Sequence, residues 1–277
     1  MKNNWHYLKS RGLIIDDDDK CLDVLRSINY YRLSAYLLPF KKSDDTYFCG
    51  TSFERVYRIY EFDCKLRALL FSVIEEVELF LRTRFAYHSA HVYGALGYLD
   101  EANYNKYHDH DKFIDSVNTA IKNNRNTPVV KHHDAKYDGK LPIWVIVDFF
   151  SIGSLSYFYS DWKTADKKVI AKELFQAPYP FMDSWMKCIT VLRNRCAHYS
   201  RLYYSLFTDT PKIPPAVNYQ CTGRVFDQIM MLKFLSANKH KWNTTFVLPL
   251  ETLITEYEDS ISFSHIGFPG NWRELLA

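Results

Sequence analysis

The sequence predicts a mainly α protein, built as a helical bundle, on three observations. Apolar residues recur at three- and four-residue spacing over one long stretch from about Ser52 to Val92. A second stretch of the same kind runs from Trp185 to Tyr204, and the period-two alternation of half-buried strands is scarce everywhere. With 277 residues, 47% hydrophobic and 24% charged, the chain can bury a sizeable core, and its composition is that of a globular protein. The organisation read from it is an N-terminal helical extension over residues 1–50, then a helical domain over 51–277 interrupted by a polar, irregular insert at about 104–140.

In chain order, the acidic run Asp16 to Asp19 precedes Cys21 to Leu25 and suits the positive end of a helix. Ile28 to Leu38 continues as a short apolar-aromatic helix stopped at Pro39, and Lys41 to Gly50 reads as a loop or short hairpin. Ile59, Leu66, Leu70, Val73, Ile74, Val77, Phe80, Leu81 and Phe85 then form the core face of the long helix. Glu75, Glu78 and Arg82 lie at the edge of that face, and Glu78 to Arg82 has the favourable i,i+4 orientation for an ion pair. The pair is either an exposed surface contact or a border of the functional cleft that orients one of its arginines.

Gly94 to Asn105 reads as a turn, and one helix is expected in the insert, from Lys112 to Asn123. Trp144 to Phe150 is a buried helix broken at Gly153, with Ser154 capping the next segment. Thr164 to Phe175 is a helix stopped by Ala177-Pro178-Tyr179-Pro180. Further helices are expected from Thr222 to Ala237 and from Asn243 to Glu258, the latter kinked near Pro249, before a closing loop at Ile266 to Trp272.

The stretch from Trp185 to Tyr204 carries the chemistry. Read as one helix, it puts Trp185, Ile189, Leu192, Cys196, Tyr199 and Tyr203 on a buried stripe. Lys187, Asn194, His198 and Arg201 fall on the opposite face, with Arg193 on its flank. Positions five apart are about 140° apart on an ideal helix, so Arg193 and His198 do not stack. One helix therefore supplies half of a cationic cleft, and a second copy facing it would complete the set.

Several chemistries lack sequence support. There is no G-x-x-x-x-G-K-[ST] or G-x-G-x-x-G phosphate cradle, no G-x-S-x-G and no H-E-x-x-H. No nucleotide or other cofactor is therefore expected. The six cysteines form no C-x-x-C pair and read as reduced thiols, and Cys196 belongs to the core stripe rather than to a nucleophile beside His198. His108 to Asp111 and Lys131 to Asp134 invite a metal, but alternating ligands on a polar stretch impose no fixed geometry, so no metal site is assigned. No apolar run reaches the roughly 18 residues of a membrane span, and the N-terminus lacks a signal-peptide pattern, so the sequence reads as soluble and cytoplasmic. A net charge of +3 neither demands nor opposes a nucleic-acid partner, while 17% aromatic residues suit both helical cores and stacked bases.

RNA cleavage by its own 2′-hydroxyl needs a proton acceptor, a proton donor for the leaving 5′-oxygen and positive charge at phosphorus. An imidazole carries protons near neutrality, and a guanidinium fork matches phosphate oxygens. On these residues the chain is similar to known families. Arg193-Asn194-x-x-x-His198 resembles the R-x(4–6)-H motif of the HEPN superfamily of helical ribonucleases. Five segments in order resemble the Abi_2 (AbiD/AbiF-like) abortive-infection family of bacterial phage-defence proteins: INYYRLSAYLLPF from Ile28, FDCKLRALLFSVIEEVELFLRTR from Phe62, PIWVIVDFFSIGSLSYFY from Pro142, RNRCAHYSRLYY from Arg193 and GFPGNW from Gly267. Where that family often has an Asn, two positions after Arg-Leu, this chain has Tyr204.

The resemblance implies a HEPN-type bundle, a homodimer and a metal-independent endoribonuclease with Arg193, Asn194 and His198 as catalytic residues. Arg201, Glu75, Glu78, Arg82 and Lys187 would support the site or bind RNA. It also implies a small noncoding RNA as a partner besides the substrate RNA, in a bacterial cytoplasm. Two readings stay open: an acid–base ribonuclease, or a non-catalytic RNA-binding protein that forms a ribonucleoprotein, with Arg193 and His198 only binding phosphate or holding a helix interface.

Overall fold

A computed structural model describes residues 2–277, and β pairing among the described residues is confined to isolated bridges. The protein is mainly α. The chain opens with α1 (Lys2–Ser10), α2 (Asp18–Ser27) and α3 (Tyr30–Leu37). Asp17 caps α2 by accepting the Lys20 amide, and Asn29 caps α3 by accepting the Tyr31 amide, so both starts follow from short polar side chains placed before apolar runs. A bridge between Lys41 and Tyr47 closes the expected hairpin-like loop.

The central element is α4 (Phe53–Tyr93), 41 residues and thus about 60 Å long. Ser52 caps its start by accepting the Arg55 amide, and Gly94, at φ +82°, ends it in a conformation that glycine adopts without strain. Its stripe from Ile59 through Leu66, Leu70, Ile74, Val77 and Leu81 to Phe85 is buried, as the periodicity requires.

The insert is more regular than its composition suggests. It holds α5 (His110–Asn123) and a second helix, α6 (Pro128–Lys136), where the sequence shows only a polar tract. Pro128 preorganises the first turn of α6 and Val130 anchors it, a single buried residue that leaves no periodic stripe to detect. Next come α7 (Ile143–Phe149) and α8 (Ile152–Ser160). The break between them falls at Phe150-Ser151 and not at Gly153, because Ser151 caps α8 through the Ser154 amide and Gly153 lies inside the helix.

The helix α9 (Thr164–Phe175) has the bounds read from sequence. By contrast, α10 (Tyr179–Ala197) starts and stops earlier than expected. Beyond it lie α11 (Val225–Leu235), α12 (Lys239–Trp242) and α13 (Leu248–Tyr257). A π-type turn at Asn243–Val247 joins the last two, so the irregularity expected at Pro249 sits just ahead of it. The chain closes with α14 (Phe263–Ile266) and α15 (Trp272–Leu276). Among the described residues no helix is long and apolar enough to cross a membrane.

Buried side chains from Leu8 to Leu276 join into one core in which α3, α7, α10, α11 and α13 all pack on α4. Inside it lies Asp63 of α4, with no exposed surface. Its carboxylate accepts from the Tyr36 hydroxyl of α3, from Arg67 one turn along α4, and from the Leu202 and Tyr203 amides beyond α10. Burial pushes this carboxyl above the ordinary carboxylate range, while Arg67, Tyr36 and the two amides pull it back. Because every partner donates, the arrangement is built for the anion.

Two stability predictions follow from this packing. Asp63→Ala leaves Arg67 buried without its counter-charge and should cost about 3–5 kcal/mol in urea unfolding. Gly267, at φ +78°, admits no side chain, since a Cβ there would lie 2.6 Å from Thr222 Oγ1 and 2.8 Å from Arg224 Cβ. Gly267→Ala should therefore lose roughly 1–3 kcal/mol, and an unchanged melting temperature would contradict the packing described.

Candidate functional site

The site is built where α10 crosses α4. Trp185, Ile189, Leu192 and Cys196 are buried as the stripe predicts, and burial pushes the Cys196 thiol up to about 12 despite the nearby Arg67. That thiol is a packing residue, not a nucleophile.

The stripe does not continue, however, because the helix ends at Ala197. The Tyr199 amide donates to the Cys196 carbonyl at 3.1 Å and the Ser200 amide to the Arg195 carbonyl at 2.8 Å, the two reversed bonds of a Schellman cap. Tyr199 occupies the left-handed position, φ +55°, that glycine usually fills. Its ring is therefore 68% exposed rather than buried, and only Tyr203 reaches the core.

This early ending separates residues that a continuous helix would align. His198 is the capping residue, exposed, with its amide donating to the Asn194 carbonyl at 2.9 Å. Asn194 is also exposed and shares the last-turn face with His198. Arg201 leaves that face. It donates to the Ala35 carbonyl of α3 and lies 5.7 Å from the Tyr36 ring and 5.8 Å from the Tyr204 ring. Its role here is to hold the segment after α10 against α3. Lys187 keeps the predicted face but lies about 10 Å up the helix from Asn194, on the wall of a groove shared with Asp183, Tyr157 and Thr190.

The acidic partners sit on α4. Glu78 and Arg82 form an ion pair that is largely buried, which removes the exposed-surface reading of this pair. Arg82 also donates to the Val147 carbonyl at the end of α7. The other Glu78 oxygen lies 3.4 Å from Arg193 Nε. That approach is an ion pair without a hydrogen bond, because the buried Nε–H is not aimed at the carboxylate. Glu78 thus orients Arg193, whose guanidinium also lies 6.0 Å from the Phe71 ring. Among the described residues nothing accepts from its terminal nitrogens, and the side chain is 34% exposed. Glu75 is exposed one turn from Glu78, on the same side of α4 as Phe71, and stays outside the ion pairs.

One chain therefore assembles a supported guanidinium, an exposed amide and an exposed imidazole within the last turn and a half of α10. It does not bring Arg201 or Lys187 to them. Sequence reading missed Asp63, which fixes the backbone just past His198. The signal was available, since Asp63 lies four residues after Ile59 and three before Leu66, on the apolar stripe itself, with Arg67 at i+4.

No curated protein and no solved structure matched the chain. A family model does: that of the Abi-like proteins, Abi_2, over residues 23–204, from within α2 through the α4–α10 crossing to the segment that Asp63 anchors. The chain belongs to the Abi-like protein family.

Proposed function

We propose that the protein is an abortive-infection endoribonuclease that cleaves RNA without a metal, using a HEPN-type site completed across a homodimer. The observation that carries this reading is the Glu78-held Arg193 beside exposed Asn194 and His198 at a helix end, none of whose terminal side-chain groups finds a partner among the described residues. Membership of a family described as Abi-like supports the phage-defence role.

The chemistry is that of transesterification. An imidazole accepts the 2′-hydroxyl proton, the 2′-oxygen bonds to phosphorus, and the bond from phosphorus to the 5′-oxygen breaks as that oxygen gains a proton. The products are a 2′,3′-cyclic phosphate and a free 5′-hydroxyl. Arg193 offers its fork to the non-bridging oxygens, where charge accumulates in the transition state. Asn194 holds the scissile group or the partner imidazole.

One imidazole cannot at once be base and acid, and among the described residues no hydrogen bond orients the His198 ring. Two copies facing one another supply both roles. The exposed apolar residues Phe71 and Leu79, on the side of α4 that carries Glu75 and Glu78, offer such a copy a surface to cover.

His198→Ala should lower cleavage of single-stranded RNA by about 10²- to 10⁴-fold with melting temperature and oligomeric state unchanged. Full cleavage by a nuclease-free preparation of that variant would sink the proposal. RNA that co-purifies with the wild-type protein, binds in a salt-sensitive manner and is never cut would instead assign the non-catalytic ribonucleoprotein. Glu78→Gln should slow cleavage by up to about 10²-fold by releasing Arg193 from its position. An equal rate in single-turnover assays would remove Glu78 from the site.

A further inference from the structure

Tyr199 is held in a costly conformation with its ring in solvent, and the structure shows what holds it. Arg32 of α3 donates through Nη1 to the Tyr199 carbonyl at 2.6 Å, and its guanidinium carbon lies 5.9 Å from the centre of the Tyr199 ring. The two residues are 167 positions apart in sequence, so their meeting is made by the tertiary fold. Tyr199 also follows His198 directly, at the end of α10.

The electrostatic setting is one-sided. No acidic residue occurs from Val24 to Ser43, a span containing α3, or from Ser184 to Thr208, which contains most of α10 and the segment beyond it. These spans carry Arg26, Arg32, Lys41 and Lys42 on one side and Lys187, Arg193, Arg195 and Arg201 on the other. Two α4 carboxylates meet these spans, Asp63 and Glu78; both are largely buried, and Arg67 and Arg82 answer them. An exposed aromatic ring backed by a guanidinium, on chain segments that carry basic and no acidic residues, is the chemistry that binds a base of single-stranded nucleic acid.

We infer that Tyr199, positioned by Arg32, is a base-stacking platform that receives the nucleobase next to the scissile phosphate and so sets where an RNA strand lies against His198. This inference rests on the ribonuclease reading and adds a substrate-positioning subsite to it. Stacking tolerates every base, since each has a π face. The platform therefore selects unpaired RNA over duplex, where bases are already stacked on one another. It fixes register rather than sequence.

The test uses the full chain carrying His198→Ala, so that RNA is bound and not consumed. The probe is a short single-stranded RNA of mixed sequence with 2-aminopurine placed at successive positions. One position should show quenched fluorescence on binding, and Tyr199→Ala added to this background should abolish that quenching and weaken affinity by roughly 5- to 150-fold. Tyr199→Phe should restore both, since it keeps the ring. Tyr199→Gly separates stacking from structure: it relieves the positive φ, so its melting temperature should hold or rise while affinity falls as for alanine. Undiminished affinity and quenching in Tyr199→Ala would overturn the platform and leave the ribonuclease reading standing. A parent that binds no RNA would overturn both.

Discussion

The buried Asp63 carboxylate is the constraint on which the rest of this structure depends. Taking a carboxylate and a guanidinium out of water costs several kcal/mol for each ion, and the charge-assisted bonds from Arg67, Tyr36 and two backbone amides offset it. An apolar residue would fill the space at less risk. What the anion supplies is geometry, because its donors come from three places, α3, α4 and the segment after α10, and it draws all three to one buried point. The Leu202 and Tyr203 amides can reach it only if the chain has already left α10 and turned back. The position of His198, a few residues earlier, is therefore set from inside the core.

A second carboxylate, Glu78, does the corresponding work for Arg193. It is shared by two arginines of unequal burial. Arg82 is spent on Glu78 and on the Val147 carbonyl, whereas Arg193 is touched on one edge only. The deeper arginine neutralises most of the buried charge, and the shallower one is oriented without being consumed. Arg201 shows the alternative fate. It is as close to His198 in sequence as many a site residue, but a carbonyl and two aromatic rings occupy it.

What could be read from the sequence follows from how local each cause is. The long α4 was legible because its stripe, its Ser52 cap and its Gly94 stop are local, and α9 because the Ala177-Pro178-Tyr179-Pro180 run stops it just beyond Phe175. The Glu78 to Arg82 pair was legible from i,i+4 spacing, although its depth, and with it the choice between a surface contact and a border of the cleft, was not. The end of α10 was not legible. Tyr199 and Tyr203 extend the apolar wheel past Cys196, and position 199 carries neither the Gly nor the Asn that marks a left-handed cap. The turn is imposed by Asp63 and by the Tyr203 hydroxyl, which accepts the Ser262 amide from a segment far along the chain. Those causes are tertiary, so the wheel reads through them and places Arg201 on the wrong face. The helix α6 escaped for the opposite reason, having one buried residue and no pattern.

The two tyrosines with positive φ separate strain that packing answers from strain that it does not. Tyr204, at φ +62°, is half-buried, with its ring 4.6 Å from Tyr203 and 4.4 Å from His265. Its backbone cost of order 1–3 kcal/mol has a counterpart in apolar contact. Tyr199 bears the same kind of cost with its ring in water, where burial returns little. Glycine at 199 would satisfy the Schellman cap without that cost, and no core contact would be lost. A local rule broken without a packing gain belongs to function more often than to folding. In this chain the break falls at the residue next to the exposed imidazole, on a segment that carries basic and no acidic residues.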